Sequence, residues 1–535
     1  MLGAVAALGL SGCQLGARQG DGRLDFSVLT PAAGRDVSQV TLGDTNEPSS
    51  LDPIVSYNFD DDEILDNMCE ALFRLNPNLT VSPLLATSAH RPNPTTWVYE
   101  IRHGVRFWNG QPLTAADVAY SLGRNLVTAN GSYFASYYQR VKSIQATGRY
   151  QVTVHFTRPD SLWNQVLVVS GSAVIEKSWA LARKGQIGTP SGRLMCTGPY
   201  EWGKWTRGSS ISLVRNPHYW DPARSGKARR VVFKFISDSA AQTNALISGG
   251  VDGMVLLDPS GIPRLQESHG HLYFGRNLFL DYLIPTTVHS AMSELDVRRA
   301  LSLVINRPAI ADNIYYGAAV PMRTYVTPTV WGSNPAVRRI FSREWAATKV
   351  YATQHLALAK KLFDAAGAPK APITLAFPTG GVEQQIVQAV QSWAQKIGMN
   401  IQLKGYSPAA IQNLYYEPKA QAKAGIDLIW GPFEVDTTDP MDLYLTFAPA
   451  DHSVYDYSQF YTPTITHDLD QAWTTFNPVR RARYTAAAER AVMKDLPWIP
   501  LVSPDMLVYQ RDGLTGITTS FSLYWSAWAN RIGRP

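Results

Sequence analysis

The chain has 535 residues, 45% hydrophobic and 17% charged, so it is long enough for several domain-sized units and is not a disordered protein. Its 49 basic and 43 acidic residues give a net charge of +6 without a Lys/Arg run, which gives little support for nucleic-acid binding. No apolar run reaches the roughly 18 residues of a membrane-spanning helix, which excludes an integral channel or permease.

The N-terminal segment is typical of an export signal. Residues 1–10 are almost all small or apolar, and Leu10-Ser11-Gly12-Cys13 looks like a bacterial lipobox, in which Cys13 carries the lipid. The alternative is a short apolar N-terminus with a chance cysteine. Residues 14–39 are rich in Gly, Ala, Arg, Asp and Ser, which predicts a flexible tether. We therefore expect a lipoprotein signal over 1–13 and an extracytoplasmic protein anchored to the cell membrane.

The first half of the chain alternates strand and helix patterns. A short strand is expected over 40–42, and apolar spacing predicts a helix over 60–73. A half-buried strand over 96–101 is followed by a helix over 114–126, with Thr114 as N-cap and Asp117 three residues on. This half also contains a predicted hairpin around Gly148, strands near 211–213 and 231–235, and a helix over 238–248.

The second half has a parallel α/β pattern. The predicted βαβ unit consists of a strand over 373–377, an amphipathic helix over 382–397 and a strand over 399–403. The unit is followed by a strand over 427–430, a helix over 480–493 and a closing strand from 497. Mixed β-rich and α/β segments in one chain imply lobes with a cleft between them.

Three cysteines are too few for a disulfide scaffold, and without a C-x-x-C pair they do not indicate a structural zinc site. Cys69 and Cys196 remain after Cys13. They could pair in an oxidising compartment. The apolar helical pattern around Cys69 favours instead two separate buried thiols.

Motifs of catalysis and metal binding are missing from the sequence. There is no nucleophile elbow, no H-E-x-x-H and no phosphate-binding loop. The acidic run over 60–63 is typical of a helix N-terminus rather than a Ca²⁺ loop. Asp436 and Asp439 could serve a paired-carboxylate hydrolase or simply cap a turn before Pro440. We expect a binding protein, not an enzyme, without cofactor or metal.

Five groups of motif segments occur in a fixed order. They are E-P-S-S-L-D-P over 47–53; V-R-F-W-N-G-Q-P-L-T-A-A-D-V-A-Y-S over 105–121; C-T-G-P-Y over 196–200 with R-N-P-H-Y-W over 215–220; I-S-G-G-V-D over 247–252; and D-V-R-R-A-L-S through I-N-R over 296–307. Together they resemble the extracytoplasmic solute-binding proteins of the peptide/nickel family, oligopeptide- and dipeptide-binding lipoproteins of ABC importers. Asn306 stands where the family usually has Asp.

The resemblance implies a two-lobed α/β fold, the type II periplasmic-binding-protein-like fold, with an extra subdomain in lobe one. Lobe one would comprise residues 40–270 and 490–535, with the inserted subdomain over about 60–185. Lobe two would comprise residues 271–489. The chain would cross between the lobes twice, and such crossings are where hinges form.

The resemblance also implies an amine-binding site. Peptide-binding relatives carry W-x-x-D-x-x-D/E-P, and here Phe433 takes the Trp place, Glu434 follows it and Asp436 takes the place of the amine-binding Asp. Some oligopeptide-binding relatives have Arg six residues before this Asp. Trp430 stands there instead, which leaves the carboxylate partner of a peptide open.

Two further segments carry over from the family. Residues Tyr57, Asn58 and Phe59 match a segment whose backbone lines the cleft. Phe134 matches the first aromatic residue of a segment that contacts the ligand, and Tyr137 ends it. For each of these residues the alternative is simple core packing.

The expected function is capture of short peptides in an inter-lobe cleft and delivery to the permease subunits of an ABC importer, by a monomer tethered to the membrane through its N-terminal lipid. Alternatives are the same fold binding haem, a nickel chelate or an oligosaccharide, or a cell-envelope regulatory lipoprotein that does not transport.

Overall fold

The structure is a computed structural model that describes residues 24–56, 58–255, 258–286, 290–449 and 460–535. The predicted lipobox cysteine, Cys13, and Tyr57 lie outside the described residues. The strands, in chain order, are β1 (Leu24–Phe26), β2 (Val40–Asp44), β3 (Phe73–Leu75), β4 (Val81–Pro83), β5 (Ala86–Asn93), β6 (Thr96–Ile101), β7 (Val141–Gly148), β8 (Gln151–Phe156), β9 (Tyr200–Thr206), β10 (Ser210–Arg215), β11 (Arg230–Phe235), β12 (Gly253–Met254), β13 (Gly270–Gly275), β14 (Phe279–Pro285), β15 (Ala319–Pro321), β16 (Ile373–Pro378), β17 (Ile401–Tyr406), β18 (Leu428–Glu434), β19 (Ile499–Pro500), β20 (Val502–Pro504) and β21 (Met506–Arg511).

The α-helices differ widely in length, from single turns to the 18 residues of the last one. They are α1 (Phe59–Leu65), α2 (Ala115–Gly123), α3 (Trp163–Val166), α4 (Lys177–Ala182), α5 (Ser239–Ser248), α6 (Ile262–Gln266), α7 (Leu295–Val304), α8 (Arg307–Ala309), α9 (Pro335–Ala347), α10 (Leu356–Ala365), α11 (Val382–Gln395), α12 (Pro408–Tyr416), α13 (Pro418–Ala424), α14 (Met441–Tyr444), α15 (Pro463–Thr474) and α16 (Pro478–Asp495).

Three sheets organise the described part of the chain. An eight-stranded mixed sheet has the order β1-β13-β21-β12-β2-β11-β10-β9, and a five-stranded sheet has the order β17-β16-β18-β14-β19. A separate four-stranded antiparallel sheet, β5-β6-β8-β7, belongs to the segment between α1 and α4. The chain leaves the eight-stranded sheet after Gly275 and returns to it at Met506. We propose that the two large sheets are the centres of the two lobes and that the four-stranded sheet is the inserted subdomain.

The predicted βαβ unit is confirmed. β16 and β17 pair in parallel, from Ile373 opposite Ile401 to Pro378 opposite Tyr406, and α11 connects them. β18 pairs in parallel with β16 only at Leu428 and Ile429, whereas it pairs with β14 along its whole length. The edge of β18 beyond Ile429 is therefore not paired with β16.

The predicted helix over 60–73 is only partly right. α1 ends at Leu65, and the chain turns before β3 starts at Phe73. Cys69 lies in this turn and forms a disulfide with Cys196, with 4.9 Å between the Cα atoms. The expectation of two separate thiols was wrong, because it rested on a continuous helix that would have kept Cys69 in a regular apolar stripe.

Glu70 explains two of the motif segments. Its buried carboxylate accepts hydrogen bonds from the Thr197 hydroxyl (2.8 Å), the Tyr219 hydroxyl (2.6 Å) and the Trp220 indole N–H (2.8 Å). Three donors satisfy a carboxylate that would otherwise be costly to bury. The C-T-G-P-Y and R-N-P-H-Y-W motifs therefore serve to fasten the turn after α1 to the β9–β10 hairpin.

The I-N-R motif is structural as well. The Asn306 side chain caps α8 by accepting from the Ala309 N–H at 3.1 Å, a task that Asn performs as well as Asp. Arg307 is 1% exposed and donates to the carbonyl oxygens of Ser302 (2.9 Å) and Pro500 (2.8 Å). These bonds hold α7 and β19 together next to the chain's return to the eight-stranded sheet.

Candidate functional site

Asp436 lies just beyond the carboxyl end of β18. The strand is buried along most of its length, and the Val435 N–H donates to the Leu278 carbonyl oxygen at 3.4 Å, which carries the pairing with the neighbouring chain past the strand end. Asp436 is 8% exposed. A buried strand thus places this carboxylate where the five-stranded sheet meets the inserted subdomain.

A phenol from the inserted subdomain bridges two carboxylates. The Tyr137 hydroxyl lies 2.6 Å from an Asp436 carboxylate oxygen and 3.1 Å from one of Asp442, and all three side chains are buried. The other Asp442 oxygen accepts from the Thr437 N–H at 2.9 Å. A hydroxyl has one proton to donate, so the pair of carboxylates is short of donors.

Burial dominates the electrostatics of this site. It raises the pKa of Asp436 to about 7 and that of Asp442 to about 8, each further raised by a neighbouring carboxylate. The pKa of Glu434 is also raised, to about 7, by burial. Among the described residues no Lys or Arg forms an ion pair with these three carboxyls. The arrangement therefore favours a cationic group, which would restore the ionised carboxylates.

A carboxylate on α1 faces the same space. Burial and the neighbouring Asp61 raise the pKa of Asp62 well above its ordinary value, and the negative charge of Asp436 adds to this effect. The Ser56 hydroxyl donates to Asp62 at 3.2 Å. The carboxyl groups of Asp62 on α1 and of Asp436 beyond β18 are therefore close enough to influence each other's pKa.

Aromatic side chains close the adjacent part of the boundary. The Phe59 ring centroid lies 4.4 Å from that of Phe279 on β14 and 4.5 Å from that of Tyr524. Phe279 stands opposite Glu434 in the β14–β18 register. Such edge-on aromatic contacts exclude water without using hydrogen bonds. The carboxylates beside them are consequently in a region of low polarity.

The inserted subdomain also contacts α15 through a second group of residues. Arg140 pairs with Asp470 at 3.0 Å, and its guanidinium carbon lies 3.7 Å from the Trp473 ring centroid. Arg158 pairs with the same Asp470, and the Ser161 N–H donates to the Trp473 carbonyl oxygen at 2.9 Å. These contacts join the segment that carries the four-stranded sheet to α15.

The other predicted site residues have different environments. Phe433 is buried and packs on Trp498 at 5.7 Å between ring centroids. Trp430 and Phe134 are each 1% exposed, which is typical of core side chains. Asn58 is exposed, and its carbonyl oxygen accepts the first N–H groups of α1. Ligand contact by these residues stays a prediction, and Trp430 and Phe134 offer a ligand the least surface.

Sequence reasoning missed Asp442 and Asp62. Asp442 comes directly after the Pro440-Met441 start of α14, where an acidic residue is ordinarily read as favourable to the helix dipole. Asp62 belongs to the acidic run at the start of α1, which received the same interpretation. Both are buried, so their proximity to Asp436 rather than the helix dipole defines their environment.

The described residues show neither a metal-binding cluster nor a membrane-spanning helix. No group of three or more His, Cys, Asp or Glu side chains there is arranged to hold a metal ion. No helix of the described ranges combines the length and the apolar character that crossing a membrane requires.

Comparison with known proteins gives consistent results. The family described as bacterial extracellular solute-binding proteins, family 5 Middle, matches residues 80–453. Protein XP55 of Streptomyces lividans is 24% identical over 498 residues, which covers 90% of this chain and 86% of that protein. The periplasmic murein peptide-binding protein MppA of Escherichia coli K12 is 24% identical over 483 residues and covers 85% of this chain and 86% of its own.

The fold is shared with solved structures. The ABC transporter-associated periplasmic binding protein DppA from Helicobacter pylori, in complex with the peptide STSA, superimposes with a TM-score of 0.78 over 94% of this chain and 98% of that one, at 20% identity. This likeness confirms the predicted two-lobed periplasmic-binding-protein-like fold.

Proposed function

Because the chain belongs to the bacterial extracellular solute-binding proteins of family 5, we propose that it captures short peptides between its lobes and delivers them to an ABC importer. The observation that carries the proposal is the pair of buried carboxylates, Asp436 and Asp442, bridged by a phenol from the opposite lobe and lacking a cationic partner in the described structure. A peptide's α-ammonium group supplies the missing charge.

The amine is recognised by charge and by hydrogen bonds. An ammonium group has three donors and no acceptor, which complements two carboxylates that share a single hydroxyl proton. An unpaired ammonium would be costly to bury, so a peptide with a blocked amino end gains much less from entering the site. Asp436 and Asp442 are the proposed ligands, and Tyr137 positions Asp436.

The peptide backbone has a strand edge to bind. β18 is free of β16 beyond Ile429, and an extended chain can add to such an edge through main-chain hydrogen bonds, independently of its side chains. Its amino end then reaches Asp436 beyond the end of β18. Phe59 and Phe279 provide apolar walls for the first side chains.

Closure follows from the ligand's position between the lobes. Asp436 belongs to lobe two and Tyr137 to the inserted subdomain, so a ligand held by both favours the closed arrangement over the open one. The Arg140–Asp470 pair stabilises the same arrangement from the other side.

The remaining parts of the proposal concern the chain's surroundings. The protein acts as a monomer without catalysis or cofactor, and a lipid on Cys13 holds it at the outer face of the cell membrane near its permease partner. Labelling with a radioactive fatty acid, compared between the wild type and Cys13→Ser, tests the lipid anchor independently of peptide binding.

Isothermal titration with matched peptides tests the central claim. Tri- and tetrapeptides with a free amine are expected to bind at least about 100-fold more tightly than the same peptides with an acetylated amine, as loss of a buried charge pair predicts. Native mass spectrometry of freshly purified protein identifies any retained cargo. Equal affinity for the free and acetylated forms removes Asp436 from its proposed role.

A further inference from the structure

A cavity lies beside β14 and β18. Its volume is about 310 Å³, and it is lined by residues from both lobes. Lobe one contributes Gln242 and Asp258, lobe two contributes Asp281 and Glu383, and Asp505 comes from the returning chain. The cavity therefore lies between residues of both proposed lobes.

The lining of this cavity is strongly acidic. Its carboxylates are Asp258, Asp281, Glu383 and Asp505, and no Lys, Arg or His is among the described residues that line it. Asp281 is 5% exposed, and one of its oxygens accepts from the Tyr315 hydroxyl at 3.0 Å. Asp258 is engaged as a cap by the Ser260 N–H at 2.8 Å. A cationic ligand would therefore favour the ionised forms of Asp281, Glu383 and Asp505.

Asn277 gives independent support for a ligand site. It lines the cavity at 2% exposure, and its side-chain oxygen accepts from the Leu278 N–H at 2.9 Å. Its side-chain nitrogen has no hydrogen-bond partner among the described residues. A buried amide N–H₂ without an acceptor is costly, and a ligand carbonyl oxygen would satisfy it.

Burial raises the pKa of Asp281 to about 8 and that of Asp505 to about 7, and it also raises the pKa of Glu383. Arg276, which is exposed and does not line the cavity, opposes the effect at Asp505. A second carboxylate, such as the terminal one of a peptide, would meet repulsion here, whereas a cation would be stabilised.

The distance to the proposed amine site suits a short peptide. Pro432 lines the cavity, and Asp436 lies four residues farther along the chain, so at most about 14 Å separates them. An extended ligand rises about 3.3 Å per residue, so its third and fourth residues lie about 7 and 10 Å from its amine, and a long side chain at either position reaches the cavity when the amine is at Asp436.

We propose that this cavity binds the ammonium or guanidinium group of a basic side chain at the third or fourth position of the peptide, and that the Asn277 side-chain N–H donates to a peptide carbonyl oxygen. The inference rests on the proposed function, since it places the peptide's amine at Asp436. It makes the preferred substrates short basic peptides rather than peptides in general.

The test compares Ala-based tetrapeptides that carry Lys, norleucine or Glu at position three or four, all with a free amine. Isothermal titration of the wild-type protein is expected to give at least tenfold tighter binding for Lys than for norleucine at one of the two positions, and weaker binding for Glu. Norleucine keeps the apolar stem and removes the charge, so the ratio reports on the ammonium alone.

Substitutions of the cavity carboxylates test whether the preference for Lys over norleucine arises in this cavity. In Glu383→Gln and in the Asp281→Asn/Glu383→Gln double variant the Lys-to-norleucine ratio is expected to fall to within threefold, while the preference for a free amine is kept. Asp364→Asn, which changes an exposed carboxylate paired with Lys360 on α10, is the matched control and leaves the ratio unchanged.

The outcomes separate the two proposals. Equal binding of Lys and norleucine peptides by the wild type, with the free-amine preference intact, overturns the basic-pocket inference alone. If no tetrapeptide binds, the proposed function fails and this inference with it. The comparison of Lys and norleucine peptides binding to the wild-type protein tests the basic-pocket inference even if the double variant does not fold.

Discussion

Asp436 and Asp439 are three residues apart but have opposite environments. Asp439 pairs with Arg481 at 2.7 Å, and its other oxygen accepts from the Met441 N–H at 3.1 Å, so its charge is fully satisfied within the protein. Asp436 has the Tyr137 hydroxyl at 2.6 Å and no ion-pair partner in the described part of the chain. A carboxylate that the fold leaves without a cation is available to a ligand, whereas a paired one stabilises the fold.

The largest expected effect is the loss of peptide binding in Asp436→Asn. The substitution keeps the shape of the side chain and removes the charge, so the peptide ammonium is left with an incomplete partner. Breaking a buried pair costs about 3 kcal/mol, which corresponds to an affinity loss of at least about 100-fold. Isothermal titration with a free-amine peptide measures it.

The fold itself should not suffer from Asp436→Asn. Removing a buried charge that has no cationic partner eliminates a desolvation cost, so the melting temperature of the empty protein should stay the same or rise. A variant that loses binding together with its melting transition would instead assign Asp436 a structural role like that of Asp439.

Asp439→Asn is expected to have the reverse effect. It leaves Arg481 buried beside a neutral amide, with side-chain exposures of 11% for Arg481 and 12% for Asp439 in the native pair. The free energy of unfolding should fall by about 2–3 kcal/mol, while peptide affinity changes less than threefold. Urea unfolding followed by tryptophan fluorescence gives the first quantity, and titration of the folded variant gives the second. A hundredfold affinity loss in this variant would erase the contrast between the two carboxylates.

This contrast also shows what the sequence could predict. The motif spacing assigned the amine-binding role to Asp436 rather than Asp439, and that role stays a prediction. Local patterns placed α2, β6 and the βαβ unit of β16, α11 and β17. Each of these elements depends on neighbours nearby in the chain, and even the paired strands of the βαβ unit, with Ile373 opposite Ile401, are close in sequence. Capping by Thr114 and Asp117, for example, is confirmed by the hydrogen bond from the Thr114 N–H to Asp117 at 2.9 Å.

The parts that could not be predicted depend on distant contacts. Tyr137 and Asp436 are 299 residues apart in the chain, and their hydrogen bond exists only because the inserted subdomain closes over the end of β18. The Cys69–Cys196 disulfide spans 127 residues and required α1 to end early at Leu65. Periodicity carries no information about either event, since both are set by packing between separate units.

The smallest expected effect is the pH dependence of stability and of peptide affinity, which also distinguishes Asp436 from Asp439. The pKa values of Asp436 and Asp442 in the folded protein, about 7 and about 8, lie above the roughly 3.9 of an unfolded Asp. The folded state therefore binds more protons than the unfolded state, and the stability of the empty protein falls as the pH rises through these values. A bound ammonium keeps the carboxylates ionised, so peptide binding must release protons below pH 7.

Affinity for a free-amine peptide is consequently expected to rise at least about tenfold from pH 5.5 to pH 7.5, where the peptide amine is still largely protonated. Titrations in buffers of different ionisation enthalpy measure the released protons directly. In Asp436→Asn the rise should be much smaller, because one of the two coupled carboxyls no longer titrates, whereas in Asp439→Asn it should persist. A pH-independent affinity in the wild type would mean that Asp436 and Asp442 are already ionised in the empty cleft. Burial without a cationic partner would then not raise their pKa values, and the pH dependence would no longer distinguish Asp436 from Asp439.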